Sequence, residues 1–370
     1  MHKRSIKFKQ IRCGTTKGLF IEREDLPHDE NEMNEVLERI FDSGKMFQLD
    51  GIGGGNQYSN KVIIIENTDN ENVFYRFGQL GTNKRFIDWR GNDGNLTAGI
   101  AIYAMEKGIG NVVDGTFKVN AVNSFTKDLI QLSTKFNYGK PVMIKDYENG
   151  YDTYGVEVKC LWINPGGGIV GKRFPTGNVK DRYEIEEKIV EFSIVDCVSL
   201  VVMINSNSIY MVGKELPGDE SEEMIYKSNQ IRAYASLKSG FTKDLDEAQN
   251  ITLFPLLATI SEPINYVTSR GQRINYDEYD LRVNIISLNE IHHAISISAA
   301  ICIAYASLIE GTIPNQIIRG KLSGKGHHQI RIGHPSGIVR LDLEKNKDKI
   351  NVIVNRNCRI LSEGKAFVSY

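Results

Sequence analysis

The sequence predicts an α+β protein of two similar lobes, each a layer of strands curled around one buried helix. Short β-branched or alternating runs, bounded by Gly, Asn, Asp or Pro, recur along the whole chain as they do in meandering sheets. Few helical patterns interrupt them. In each half one of these is apolar on nearly every face, which places it in a core rather than on a surface. At 370 residues, with 41% hydrophobic and 25% charged residues, the chain is long enough for two such cores.

Residues 1–11 are basic, but no apolar run follows to make a secretory signal, so a cytoplasmic protein is expected. Met33, Val36, Leu37 and Ile40 have helical spacing within 31–42. Strands are expected at 61–66 and 73–77, an apolar helix at 95–107, and strands again at 116–122, 129–136 and 155–163. The charged stretch 178–187 follows the turn Pro175-Thr176-Gly177 and reads as the join, dividing the chain into 1–185 and 186–370. Return of the last strand to the first lobe stays open. Further strands are expected at 189–193, 200–204, 251–257 and 351–354. The second apolar helix, 291–309, is too short to span a membrane and contains Ser296, Ser298 and Ser307. Cys13, Cys160, Cys197, Cys302 and Cys358 are odd in number and lack any CxxC, so all five are expected to be reduced.

Acidic and basic residues nearly cancel to a formal charge of −1, leaving no global field to attract nucleic acid or an anionic membrane. An anionic ligand therefore needs a local site. Asn92-Asp93-Gly94-Asn95 opens the first apolar helix, where backbone N–H groups suit a carboxylate. On local grounds Asn92 or Asp93 is as readily a simple N-cap. Lys61 follows the turn Gly51-Ile52-Gly53-Gly54-Gly55 and opens a strand, a place where lysine is more often a solvated edge residue. Gly166 to Lys172 nearly spells a phosphate-binding loop, but Arg173 replaces the Ser or Thr that holds magnesium and Pro175 prevents the required helix. The pairs His292-His293 and His327-His328 point apart on any regular element, so no metal site is expected. The runs 12–18 and 333–337 look locally like tight turns.

Together these segments resemble the PrpF family, which includes methylaconitate cis-trans isomerases, methylitaconate isomerases and oxalomesaconate tautomerases. The resemblance rests on RCGTTKG at 12–18, QLDGIGGGNQYSNKV at 48–62, DWRGNDGN at 88–95, PGGGIVGKRFPTGN at 165–178, HHAISISAAICIAYA at 292–306 and GHPSG at 333–337. It implies a diaminopimelate-epimerase-like fold with the active site between the lobes, a cofactor-independent reaction and the option of a homodimer. It also implies that Lys61 is the catalytic lysine and that Asp93 stands where the family has its catalytic cysteine. A helix N-terminus favours the carboxylate anion and weakens it as a base, while desolvation opposes this. Related phenazine-biosynthesis isomerases use a carboxylate base. Cys13, Asn60 and Ala299 are smaller departures, at positions where the family often has Gly, Ser and Gly.

The expected chemistry is proton transfer on a small unsaturated di- or tricarboxylate such as aconitate, with Lys61 and Asp93 as donor and acceptor. Thr15, Thr16, Lys17, Asn60, Asn92, Gly94, Asn95, His292, Ser298, His334 and Ser336 are the candidate substrate-binding residues. No metal, flavin or nucleotide is called for. The rivals are an epimerase or tautomerase of the same fold and a silent carboxylate-binding protein.

Overall fold

The computed structural model describes residues 3–148, 151–250, 254–287, 289–318 and 326–369. The chain forms two compact units, one of residues 1–162 with 355–370 and the other of residues 163–354. Residues 163–185 therefore group with the second unit, unlike the boundary at 185/186 that the sequence suggested. The reason is local. Glu186 and Glu187, read as part of a charged linker, are the two central residues of a tight hairpin, with φ of 49° and 63° and Ile185 paired with Lys188. Exposed hairpin residues and linker residues share a composition.

In the first unit, β1 (Lys3–Cys13) and β2 (Thr16–Glu22) form a hairpin that sequence reading missed. Its turn places Gly14 at φ 53°, a conformation glycine adopts without a Cβ penalty. β3 (Lys61–Thr68) runs parallel to β2 and antiparallel to β4 (Asn72–Leu80). The final strand, Lys349–Ser369, pairs with β1 from Lys3↔Ser369 to Cys13↔Cys358. Helix α1 (Glu30–Phe41) is capped by Asp29, whose side chain accepts from Glu32 N–H. It buries Met33, Val36, Leu37, Ile40 and Phe41 against Leu19, Ile21, Val62 and Ile64. Helix α2 (Leu96–Lys107) is buried from Leu96 to Ala104 and packs against β1, β2 and the strands Thr116–Asn123, Leu129–Asn137 and Tyr151–Trp162. A helix so enclosed cannot be amphipathic, which explains its apolar sequence.

In the second unit, α3 (Glu222–Lys238) went unread in the sequence because its buried positions include Lys227, Ser228, Arg232 and Ser236, so no apolar stripe marks it. After α4 (Leu245–Asn250), the expected strand 251–257 falls partly outside the described residues, and the observed strand is Leu256–Ser261. Helix α5 (Ile297–Ser307) starts later than expected, because Glu290–Ile291 is a short strand, and every residue of α5 is buried. It packs against Lys188–Cys197, Ser199–Asn205 and Gly337–Asn346. Leu281–Ser287 pairs parallel with Gly326–His334, which turns through Pro335 and Ser336 into Gly337–Asn346. Each unit is thus a strand layer around one buried helix. Among the described residues, no helix is long and apolar enough to cross a membrane.

Candidate active site

Lys61 is the first residue of β3, and its ammonium lies 2.7 Å from Asp93 Oδ2. Neither is a solvated edge group: the Lys61 and Asp93 side chains are 12% and 9% exposed. Asp93 Oδ1 accepts the backbone N–H groups of Asn95 at 3.0 Å and Leu96 at 2.8 Å, and its carbonyl accepts from Thr97 N–H. Asp93 is therefore the side-chain cap of α2, the bland reading, and also a partner of Lys61. One carboxylate oxygen faces the helix N-terminus and the other faces the ammonium. Both contacts are charge-assisted and shield the anion from water.

The sequence around this pair explains its placement. Asn60 is fully buried, and its side chain accepts from Gly54 N–H at 3.1 Å and donates to Gly81 O at 3.4 Å. Its amide thus ties the Gly-rich turn to the neighbouring loop, immediately before Lys61. Gly18 on β2 permits the close approach of α2, because a Cβ there would lie 2.6 Å from Leu96 Cδ1 and 2.9 Å from Lys61 O. Asn92 is held by the Tyr75 hydroxyl at 3.0 Å and the Thr97 hydroxyl at 3.1 Å. Burial pushes the Tyr75 phenol above its ordinary range, so it remains a hydrogen-bond donor at neutral pH. Asn95 Nδ2 donates to Thr15 Oγ1 at 3.3 Å, linking the β1–β2 turn to the helix start. Thr16 is buried, with its hydroxyl donating to Cys13 O, and Lys17 N–H donates to Tyr58 O at 3.0 Å. Gly94 is buried in the turn just before the helix. Tyr75 and Thr97 were not picked out from sequence. Only their inward positions on β4 and α2 could have marked them.

In the second unit, Ser296 caps α5 by accepting from Ala299 N–H at 3.3 Å, and Ser298 is buried in the first turn. His292 is buried and its Nε2 shares a hydrogen bond of 2.5 Å with Ser287 Oγ. His334 ends its strand, and its Nδ1 accepts from Ser336 N–H at 3.2 Å, so a neutral ring carries its hydrogen on Nε2. The Ser336 hydroxyl donates to His293 O, tying this turn to the segment before α5.

The run that resembles a phosphate loop has an internal anion instead: Asp196 Oδ2 accepts from Ile169 N–H at 2.9 Å and Val170 N–H at 2.7 Å. Among the described residues, no three His, Cys, Asp or Glu side chains group as metal ligands.

A family model described as PrpF protein matches residues 3–369. The 2-methyl-aconitate isomerase of Shewanella oneidensis is 30% identical over 96% of this chain and 94% of its own length. A crystal structure of methylitaconate-delta-isomerase superposes with a TM-score of 0.80 at 26% identity, covering 100% of this chain and 96% of that one. A hydroxyproline epimerase from Agrobacterium vitis shares the fold at 8% identity, with a TM-score of 0.56 over 99% of this chain and 94% of that one.

Proposed function

The chain belongs to the PrpF family, and on that premise we propose that it is an isomerase that moves a proton, and with it a double bond, on an unsaturated di- or tricarboxylate. One observation carries the reading: an ammonium and a carboxylate, 2.7 Å apart, stand at the N-terminus of a buried helix. In the proposed cycle Asp93 Oδ2 removes an allylic proton, breaking C–H and forming O–H. The electron pair spreads through the C=C into the conjugated carboxylate as a dienolate, whose charge fixed N–H donors stabilise. Lys61 returns a proton at another carbon, shifting the double bond or exchanging its cis and trans forms. Proton transfer from Asp93 to Lys61 across their contact then restores the resting pair. We assign carboxylate binding to Thr15, Thr16, Lys17, Asn92, Gly94 and Asn95 in one unit and to His292, Ser298, His334 and Ser336 in the other. Asn60 supports Lys61 through the Gly-rich turn. The cycle needs no cofactor.

The chemistry allows aconitate, methylaconitate and methylitaconate alike, and aconitate is the preferred candidate. Proton NMR in D2O with cis-aconitate, trans-aconitate and methylaconitate tests it, through both isomer ratio and deuterium uptake. Isomerisation with exchange supports the proposal. A second reading, a silent carboxylate-binding protein, is favoured by the full engagement of Asp93 as cap and ion-pair partner. Binding of all three acids with no exchange in any would select it.

A further inference from the structure

Arg282 is 1% exposed, yet among the described residues no carboxylate lies within ion-pair distance of it. Its guanidinium instead donates to three backbone carbonyls: Val283 O at 2.7 Å, Gly333 O at 3.3 Å and Glu215 O at 3.3 Å. Its Nε has no hydrogen-bond partner. The carboxylate of Glu215 is turned to the N–H groups of Val212 and Gly213. Burial pulls the Arg282 pKa down, but a guanidinium starts so high that it keeps its proton at neutral pH. The Glu215 carboxylate acts on it only at longer range, and a buried charge that lacks an ion-pair contact is costly, so proteins retain such groups chiefly where the charge has a use.

The surroundings of Arg282 lead to the turn at 333–337, which carries the candidate binding residues His334 and Ser336. Its guanidinium stacks 4.4 Å from the centre of the Tyr266 ring. The Tyr266 hydroxyl donates to His334 O at 3.1 Å and Gly337 O at 2.8 Å. Arg282 and Tyr266 together therefore hold three carbonyls of the 333–337 turn, and Ser336 of that turn reaches His293 ahead of α5.

Resting on the reading that this turn helps bind substrate, we propose that Arg282 is a positioning residue for substrate carboxylates, its buried positive charge compensated by the bound anion while Tyr266 fixes the turn. The charge acts through low-dielectric protein, where a unit charge changes anion binding more strongly than it would across water. The effect grows with the number of carboxylates on the ligand. A merely structural brace would not make that distinction.

Calorimetric binding of tricarballylate and of glutarate, two saturated acids that cannot react, tests this on the full-length protein. Arg282→Met is expected to weaken tricarballylate by roughly tenfold or more and glutarate by less, while Arg282→Lys, which keeps the charge, retains most of the affinity for both. Tyr266→Phe removes only a hydroxyl and is expected to weaken both acids by about threefold with a near-native melting temperature. Equal weakening of both acids by Arg282→Met and Arg282→Lys would reduce Arg282 to a brace and overturn the proposal. If Arg282→Met fails to fold, native affinity for both acids in Tyr266→Phe overturns it. Absence of deuterium exchange by the unmodified protein would sink the isomerase reading instead, because these binding measurements do not need turnover.

Discussion

Asp93 has to serve two partners at once, and the energetics of that arrangement can be separated by substitution. Asparagine is also a good cap, so Asp93→Asn keeps an acceptor for the Asn95 and Leu96 N–H groups while removing the charge that faces Lys61. Breaking one side of a buried ion pair typically costs about 3–5 kcal/mol, whereas removing both charges is far milder. Asp93→Asn and Lys61→Met are each expected to lower stability, and the double variant to recover much of it, as measured in a denaturant double-mutant cycle. Proton exchange should fall at least about a hundredfold in all three variants. Recovery of exchange along with stability in the double variant would remove the pair from the chemistry. Local sequence left Lys61 and Asp93 as two separate possibilities, and only the family resemblance paired them as donor and acceptor. Lys61 and Asp93 lie 32 positions apart, and nothing in local spacing brings them into contact.

The elements around the site depend on close approaches and on buried polar clasps. Gly18→Ala would force a methyl against Leu96 and Lys61 O, and a loss of about 1–3 kcal/mol is expected from overpacking, with reduced exchange because Lys61 shifts. Thermal melts and the NMR exchange assay check both effects. The loop at 166–173 is held by Asp196, whose carboxyl is pushed up to about 6 by burial, against the opposing pull of the Val170 and Ile169 N–H groups. A raised carboxyl pKa means the folded state holds the proton more tightly than the unfolded chain does. The resulting stability is present below about pH 4 and is lost as pH rises through about 6, an effect on the order of 3 kcal/mol. Asp196→Asn should abolish this component. Chemical denaturation of both proteins at pH 4.5 and 7.5 checks the difference, and parallel pH dependences would show that Asp196 does not titrate in this range. The sequence rejected a nucleotide loop here through Arg173 and Pro175, but could not show that Asp196, on a strand some 26 residues after Val170, occupies the anion's place.

At the scale of the whole molecule, all five cysteines are buried and unbridged. Burial pushes the Cys160 and Cys302 thiols well above their ordinary range, so they are poor nucleophiles even when reached. A thiol reagent should find none of the five in the native protein and all five after unfolding. Rapid reaction of Cys13 in the native state would contradict its fully buried position. The α+β class, the two apolar helices and most interior strands could be read from sequence because burial on all sides of a helix or on one face of a strand imposes a pattern on consecutive residues. The six motif segments carried the family because each is a contiguous run, five of them rich in turn and cap residues and the other, at 292–306, reaching through the buried helix α5. The β1–β2 hairpin, helix α3 and the grouping of residues 163–185 with the second unit escaped that reading. Helix α3 buries polar residues with no stripe to mark them, and β1 and β2, although they carry apolar Ile6, Ile11, Leu19 and Ile21, are paired and covered by distant parts of the chain. By itself the sequence determined the fold class and the candidate residues, since both are written in local order. Only the tertiary structure decided that Lys61 meets Asp93, that Asp196 closes the glycine loop and that Arg282 has no ion-pair contact among the described residues. Those outcomes depend on contacts between residues far apart in the chain, and hydrogen-bond partners and burial are properties of the packed interior.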